Sequence, residues 1–367
     1  MNKTIRKSDG FLNKKRILIT GGTGSWGQQL VKTILSKYNP EQIIIYSRGE
    51  IKQVEMKRKF SNPKLHFVIG DVRDTERLEE ASENIDIIFH LAALKHVPVC
   101  EENPWEAISI NVVGTKNVIN SAIKNKVSRV VYVSTDKAVN PINLYGITKA
   151  ASERLIVNAN LKKSKTVFAC IRAGNVMGST GSVIPLFKKQ IETSNMITIT
   201  DERMTRFIMS LGGAINLLLK TAEKAVGGEV FVTKMPGIKI IDLAHTMIKE
   251  LGDKNTEIKK IGIRPGEKIH EMLISQNEVS RTVEYGSYYI ILPYVPIEKP
   301  YVKFQDAKAV TFDYYSSATT NILNSKEIVE ILRKNNFLRP KLKYDELIAD
   351  LDKTTIKRLA KDEKWLI

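Results

Sequence analysis

Residues 15–37 read KRILITGGTGSWGQQLVKTILSK, and their reading decides the fold. The opening KRILIT is an apolar, β-branched run, the pattern of a strand buried on both faces of a parallel sheet. The closing QQLVKTILSK is a helical run. Between them Gly21, Gly24 and Gly27 stand three apart. Glycines so placed let the backbone turn tightly and approach a pyrophosphate, whose charge meets the positive end of the helix. A simple tight turn also wants glycine. The strand–turn–helix setting is what makes the trio a dinucleotide signal.

Moving outward, a second strand (42–47) ends at Ser47 and Arg48, where an NAD-binding chain usually presents an acid to the ribose. Serine and arginine there favour the 2′-phosphate of NADP; NAD with a solvent-facing arginine is the alternative. A third strand (65–71) ends at Asp71 and Val72, the expected edge of an adenine pocket. A fourth (85–95) ends on Ala92 and Ala93, small enough for a cofactor to pass close by. His90 inside that strand reads as a core histidine with its hydrogen bonds satisfied, while Lys95 and His96 follow on a loop that can face substrate. Residues 103–126 read as one long amphipathic helix that buries Asn111, a polar group in need of a partner.

The chemistry concentrates in residues 134–154, STDKAVNPINLYGITKAASER, after the apolar strand 129–135. Asn140, Pro141 and Asn143 form a turn, with Asn143 as N-cap of the next helix. Tyr145 and Lys149 then lie one turn apart on one helix face. A phenol must lose roughly three pKa units to act as a base near neutrality, about 4 kcal/mol. Lys149, beside a cationic cofactor ring, is the expected source of that shift. A sixth strand (166–176) leads to Arg172 and Asn175. Strand–helix alternation implies an α/β fold, a Rossmann-like doubly wound parallel sheet with ligands at the carboxyl ends of its strands.

Past residue 176 the rhythm breaks. The expected division is a dinucleotide-binding domain at 14–175, its sheet completed by later strands such as 228–233, and a smaller, mostly helical substrate lobe at 176–295. A mostly helical extension follows at 296–367, with two polar helices from about residue 327. Residues 197–225 read as one short strand and a long helix. Arg206 and Arg264 are either ligands of a diphosphate or members of structural ion pairs. Glu267 sits with Arg264 around a Pro-Gly turn.

With 43% hydrophobic residues the chain can bury a sizeable core. No apolar run is long enough to span a bilayer, and no signal-peptide pattern opens the chain. Two cysteines, Cys100 and Cys170, argue against a disulfide scaffold or a metal site. The net charge of +17 comes from lysines interleaved with acids, a solvated pattern that points to no nucleic-acid surface. A cytoplasmic enzyme is the expectation.

The segments TGGTGSWG and Tyr145-x-x-x-Lys149 resemble the extended short-chain dehydrogenase/reductase family. More narrowly, 134–154, GNVMGSTGSVIPLF, MTRFIMSL and GIRPGEKIHEMLI resemble the UDP-N-acetylglucosamine 4,6-dehydratases, above all the inverting enzymes of pseudaminic acid biosynthesis. The resemblance runs from about residue 14 to 295. It implies a homo-oligomeric lyase in which a nicotinamide takes hydride from C4 of the hexose and returns it to C6 after water leaves. It implies chemistry by Thr135, Asp136, Lys137, Tyr145 and Lys149, with Lys137 as base at C5 and Asp136 as acid at C6, or the reverse. Around the cofactor it adds Thr23, Ser25 and Trp26 to the glycines and strand-end residues already named. Around the substrate it implies Lys95, Asn175, Val183, Arg206, Arg264 and Glu267. Two positions depart from the pattern. Ala173 stands where an aromatic residue is usual, and Thr180 where the inverting enzymes carry arginine. A nucleotide-sugar 4-epimerase or reductase on the same scaffold, or a non-catalytic NADP-sensing protein, are the rival readings.

Overall fold

The computed structural model describes residues 10–179, 181–253 and 255–338. The first half alternates as expected: β1 (Arg16–Thr20), α1 (Ser25–Lys37), β2 (Gln42–Ser47), α2 (Glu50–Phe60), β3 (Leu65–Ile69), α3 (Thr75–Ala81) and β4 (Ile87–His90). Next come α4 (Val97–Glu102), α5 (Pro104–Ile108), α6 (Gly114–Lys124), β5 (Arg129–Thr135), α7 (Leu144–Ala159) and β6 (Val167–Ala173). These strands pair in parallel in the order β3-β2-β1-β4-β5-β6. The reversal beside β1 is the crevice where doubly wound sheets bind ligands. Both faces are covered, which is why the strands read as apolar runs. In β1, Ile17 and Ile19 feed one core layer and Leu18 the other.

Residues 103–126 are not one uninterrupted helix. A π turn at Ser109–Val113 separates α5 from α6 and carries Asn111. Its amide accepts from the Leu94 backbone N–H (2.8 Å) and donates to the Leu94 carbonyl (2.9 Å) and the Thr148 hydroxyl (2.9 Å). The buried amide thus ties the loop after β4 to α7, and the extra residue in the turn aims it there. His90 is a core histidine: its ring nitrogens meet Thr20 Oγ1 at 2.7 Å and Thr115 Oγ1 at 3.1 Å.

Beyond β6 lie β7 (Asn175–Val176), α8 (Val183–Ser194), β8 (Met196–Ile199), β9 (Thr205–Met209), α9 (Leu211–Lys224), β10 (Val230–Thr233) and β11 (Gly237–Lys239). They are followed by α10 (Ile240–Leu251), β12 (Glu257–Lys260), β13 (Met272–Ile274), α11 (Gln276–Val279), β14 (Thr282–Tyr285) and β15 (Tyr288–Ile291). Segment 196–224 therefore holds two strands before its helix, not one. Strand β10 joins the main sheet parallel to β6, and β15 and β14 extend it antiparallel. A separate core of Ile184, Phe187, Ile240, Leu243, Met247, Ile328 and Leu332 holds the smaller lobe. That lobe contains short paired strands as well as helices: β11-β9-β7, β12-β8 and β13. The end of the chain adds α12 (Glu298–Lys303), β16 (Lys308–Ala309), β17 (Tyr315–Ser316) and α13 (Ser325–Lys334). β16 edges the main sheet and β17 pairs with β13, so this extension is less helical than its composition suggests. The second tail helix expected from sequence lies outside the described residues. Among the described residues, no helix is long and apolar enough to cross a membrane.

Candidate active site

The glycine turn is packed so closely that larger residues are excluded. Gly21 has φ +68°, and a Cβ there would lie 2.8 Å from Ala92 Cα. A Cβ on Gly27 would lie 2.1 Å from the Gly22 carbonyl oxygen. Gly24 precedes α1 in extended conformation with no side-chain cap, and α1 opens at Ser25. Thr23 is buried and Trp26 packs on both core layers. This bare backbone at a helix N-terminus suits a pyrophosphate.

At the next strand end, Ser47 Oγ accepts from Gln53 Nε2 (3.0 Å). Arg48 is 58% exposed and stands 3.8 Å from Asp71. Burial alone would raise the Asp71 carboxyl, but two bonds from Arg73 (3.1 and 2.7 Å) hold it below its ordinary value. Val72 is fixed by its carbonyl, which accepts from Asn117 (3.0 Å). Ala92 and Ala93 sit at the mouth of β4, with Lys95 exposed on the loop beyond.

The chemical centre forms where β5 ends in a 3-10 turn, Asp136–Ala138. Asn143 caps α7 by accepting from the Gly146 N–H (2.8 Å). A Cβ on Gly146 would lie 2.2 Å from the Lys137 carbonyl oxygen, so glycine lets α7 rest directly on this turn. Thr135 Oγ1 donates to Asp136 Oδ1 at 2.9 Å. Lys137 Nζ lies 3.1 Å from Asp136 Oδ1 and 3.1 Å from Glu271 Oε1. Both carboxylates are buried, and each keeps one oxygen, Asp136 Oδ2 and Glu271 Oε2, without a hydrogen-bond partner among the described residues. Arg206 Nε stands 3.9 Å from Glu271.

Electrostatics follow from this packing. Burial raises the Asp136 carboxyl, against the pull of Lys137. Burial would raise Glu271 too, but Lys137 and Arg206 hold it below its ordinary value. Lys137 is the reverse of a tuned neutral amine: burial would lower it, yet Asp136 and Glu271 hold it well above the usual lysine range. For Lys137 to act as the base at C5, as the resemblance implies, it has to give up a proton that these two carboxylates hold. Tyr145 is half-buried; burial pushes its phenol up to about 12, opposed by Lys137 and Thr135. Lys149 is not among the largest influences on that phenol. Lys149 instead donates to the Val133 carbonyl (2.6 Å) and lies over the Tyr132 ring (4.0 Å), and burial lowers it to about 7.

Asn175, Val183 and Arg206 converge on one pocket, shared with Ser182, Met177 and Phe207. Asn175 Oδ1 and Ser182 Oγ are buried there without partners among the described residues. Arg206 also donates to the Thr205 (2.7 Å) and Ile269 (3.1 Å) carbonyls, so part of its fork is structural. Arg264 and Glu267 do not line this pocket. They form an exposed turn in which Glu267 Oε2 accepts from the Arg264 N–H (3.2 Å). That turn is tied to α7 by Asn143 Nδ2, which donates to the Gly266 carbonyl (2.8 Å). Ala173 is buried opposite Thr135 in the β5–β6 pair. Thr180 lies outside the described residues.

Sequence reading missed Glu271. Its only signal is an acid immediately before the apolar strand Met272–Ile274, where burial demands a partner.

A family model described as polysaccharide biosynthesis protein matches residues 17–293. The chain belongs to this family. One relative, the UDP-N-acetylglucosamine 4,6-dehydratase (inverting) of Campylobacter jejuni, is 49% identical over 286 residues, 77% of this chain and 84% of that one. Another, the UDP-glucose 4-epimerase of Rickettsia canadensis, is 43% identical over 337 residues, 90% of this chain and 98% of that one. The X-ray structure of Pen from Bacillus thuringiensis superposes with a TM-score of 0.84 at 38% identity, covering 89% of this chain and all of that one. Relatives of this chain thus carry names of two reaction types, and the local chemistry has to choose between them.

Proposed function

We propose that this chain is a nucleotide-sugar 4,6-dehydratase acting on UDP-N-acetylglucosamine, with inversion at C5. The buried Asp136–Lys137–Glu271 cluster beside Tyr145 carries the reading. A 4-epimerase needs a proton acceptor at one sugar hydroxyl. Removal of water across C5 and C6 needs a further acid and a further base.

The glycine turn, Ser47, Arg48 and the Asp71 edge suit a nicotinamide dinucleotide, NADP in preference to NAD. When bound, that group supplies hydride acceptance at C4 and hydride return at C6. The residues of this chain move the protons. Tyr145 accepts the C4 hydroxyl proton once it has shed its own, a loss that burial opposes and that Lys137 and Thr135 favour. Asp136, raised toward its neutral form, gives a proton to the departing C6 hydroxyl. Lys137 serves C5, and must shed its own proton before it can act there as a base. Lys149 anchors the cofactor side of the site. Asn175, Val183 and Arg206 hold the sugar nucleotide, and Lys95, Arg264 and Glu267 form its rim. Residues 14–175 then act as the cofactor domain and 176–295 as the substrate lobe.

Incubation with UDP-N-acetylglucosamine in deuterated water, followed by NMR, tests the reading. A 4-keto product with a C6 methyl group and deuterium at C5 is expected. A C4 epimer retaining its C6 hydroxyl overturns the dehydratase in favour of the epimerase. Cofactor choice has its own test. Arg48→Ala should weaken NADP binding about tenfold while NAD binding barely changes, because only NADP carries the phosphate that arginine pairs with. Equal loss for both cofactors removes the NADP preference.

A further inference from the structure

We propose that Glu271 is a positioning residue that acts through Lys137, fixing where its ammonium points and when it can lose its proton. The inference rests on the proposed elimination, in which Lys137 works at C5. Glu271 reaches the site from the residue just before β13, 134 positions along the chain from Lys137, and closes on Nζ at 3.1 Å, the same distance as Asp136. Its backbone is clamped: its N–H donates to Ser317 Oγ (2.9 Å), and its carbonyl accepts from the Ser317 N–H (2.8 Å). Ser317 Oγ is in turn 2.7 Å from Thr205 Oγ1, beside Arg206. A buried carboxylate held this firmly is a poor choice for a surface ion pair and a good one for a fixed counter-charge.

The groups that face Lys137 are Asp136 on its own turn, Tyr145 from α7, Arg206 from β9, and Lys268 and Glu271 from the segment before β13. Two of these are carboxylates that hold the ammonium charged, Asp136 and Glu271, and Glu271 is the one that Lys137 and Arg206 keep below its ordinary value against burial. Removing that charge should release the Lys137 proton at lower pH. Shortening the side chain should not.

The test compares wild type, Glu271→Gln and Glu271→Asp, each purified with its cofactor. Competitive acetylation with acetic anhydride across pH, read at Lys137 by peptide mass spectrometry, reports its titration without any need for turnover. The midpoint should fall by about one unit or more in Glu271→Gln and stay near wild type in Glu271→Asp. The rising limb of the kcat–pH profile should move the same way, with kcat at pH 7 changed more than KM. Identical Lys137 midpoints in all three proteins overturn the proposal. So does a wild-type midpoint at or below that of an exposed lysine such as Lys126, a result that stands even if a variant fails to fold. Product NMR on wild type is read separately. If it shows no dehydration, the proposed reaction fails while the labelling still decides the role of Glu271.

Discussion

Two buried ion clusters sit near each other in this fold, and their difference separates holding from reacting. In one, Arg172 binds Glu153 through Nε (2.9 Å) and Glu278 through both terminal nitrogens (2.8 and 2.7 Å), and it also reaches the Leu273 carbonyl (2.9 Å). Glu278 further accepts from Ser275 N–H (3.0 Å), Ser275 Oγ (2.9 Å) and Arg281 (3.1 Å). In the other, Asp136, Lys137, Glu271 and Arg206 leave two carboxylate oxygens without partners among the described residues. Both join the same pieces, the β5–α7 region to the segment 271–278. A completed network has no capacity left for an incoming group, so Arg172 fastens α7 to that segment. An incomplete one, next to a lysine that is 25% exposed, is poised to exchange protons with something outside the chain.

The largest expected effects sharpen this contrast on the reactive side. Tyr145→Phe and Asp136→Asn should each cut turnover by about 10²–10⁴-fold, the usual worth of a general acid or base. Both keep the size of the side chain, so melting temperatures should stay within about 3 °C of wild type. Because burial raises Asp136, its ionisation costs stability as pH climbs, and Asp136→Asn should be no less stable than wild type at pH 7. In single turnover, Asp136→Asn should still form reduced nicotinamide, seen by absorbance, and then hold it. A variant that never reduces the cofactor moves Asp136 into the oxidation step.

The holding cluster should respond in the opposite currency. Arg172→Ala strands two buried carboxylates and should cost about 3–5 kcal/mol, measured by urea unfolding. Unchanged stability would break the comparison. A smaller effect comes from pH. Burial would raise Glu278, but Arg172 and the Ser275 bonds lower it to about 2. A carboxyl lowered on folding contributes stability above its unfolded pKa, near 4.5, and loses it as pH falls toward about 2. Glu278→Gln should therefore cost about 3 kcal/mol at pH 7 and progressively less between pH 5 and pH 2. An equal cost at pH 7 and pH 2 would mean the charge of Glu278 is not what binds the cluster.

What was legible from the residues alone is whatever depends on neighbours in sequence. The strand–glycine–helix unit at 15–37, the strand–helix alternation that implies a parallel sheet, the Asn143 cap and the Tyr145–Lys149 face are all set by local spacing and backbone sterics, which a linear chain displays. The need of Asn111 and His90 for partners was legible too, because a buried polar group in an apolar run demands one. The identity of those partners, Leu94 and Thr148 for one and Thr20 and Thr115 for the other, was not. Protonation states were hidden for the same reason. The Lys137 ammonium depends on Glu271, and Lys149 depends on its burial against Tyr132 and Val133. Electrostatic energy falls with distance in space and rises with desolvation, and both are fixed only when far-separated segments close on one another. Folding therefore decided which of two adjacent residues, Asp136 or Lys137, holds its proton loosely, and it brought Glu271 to the site from a stretch whose sequence had singled out only Arg264, Glu267 and their Pro-Gly turn.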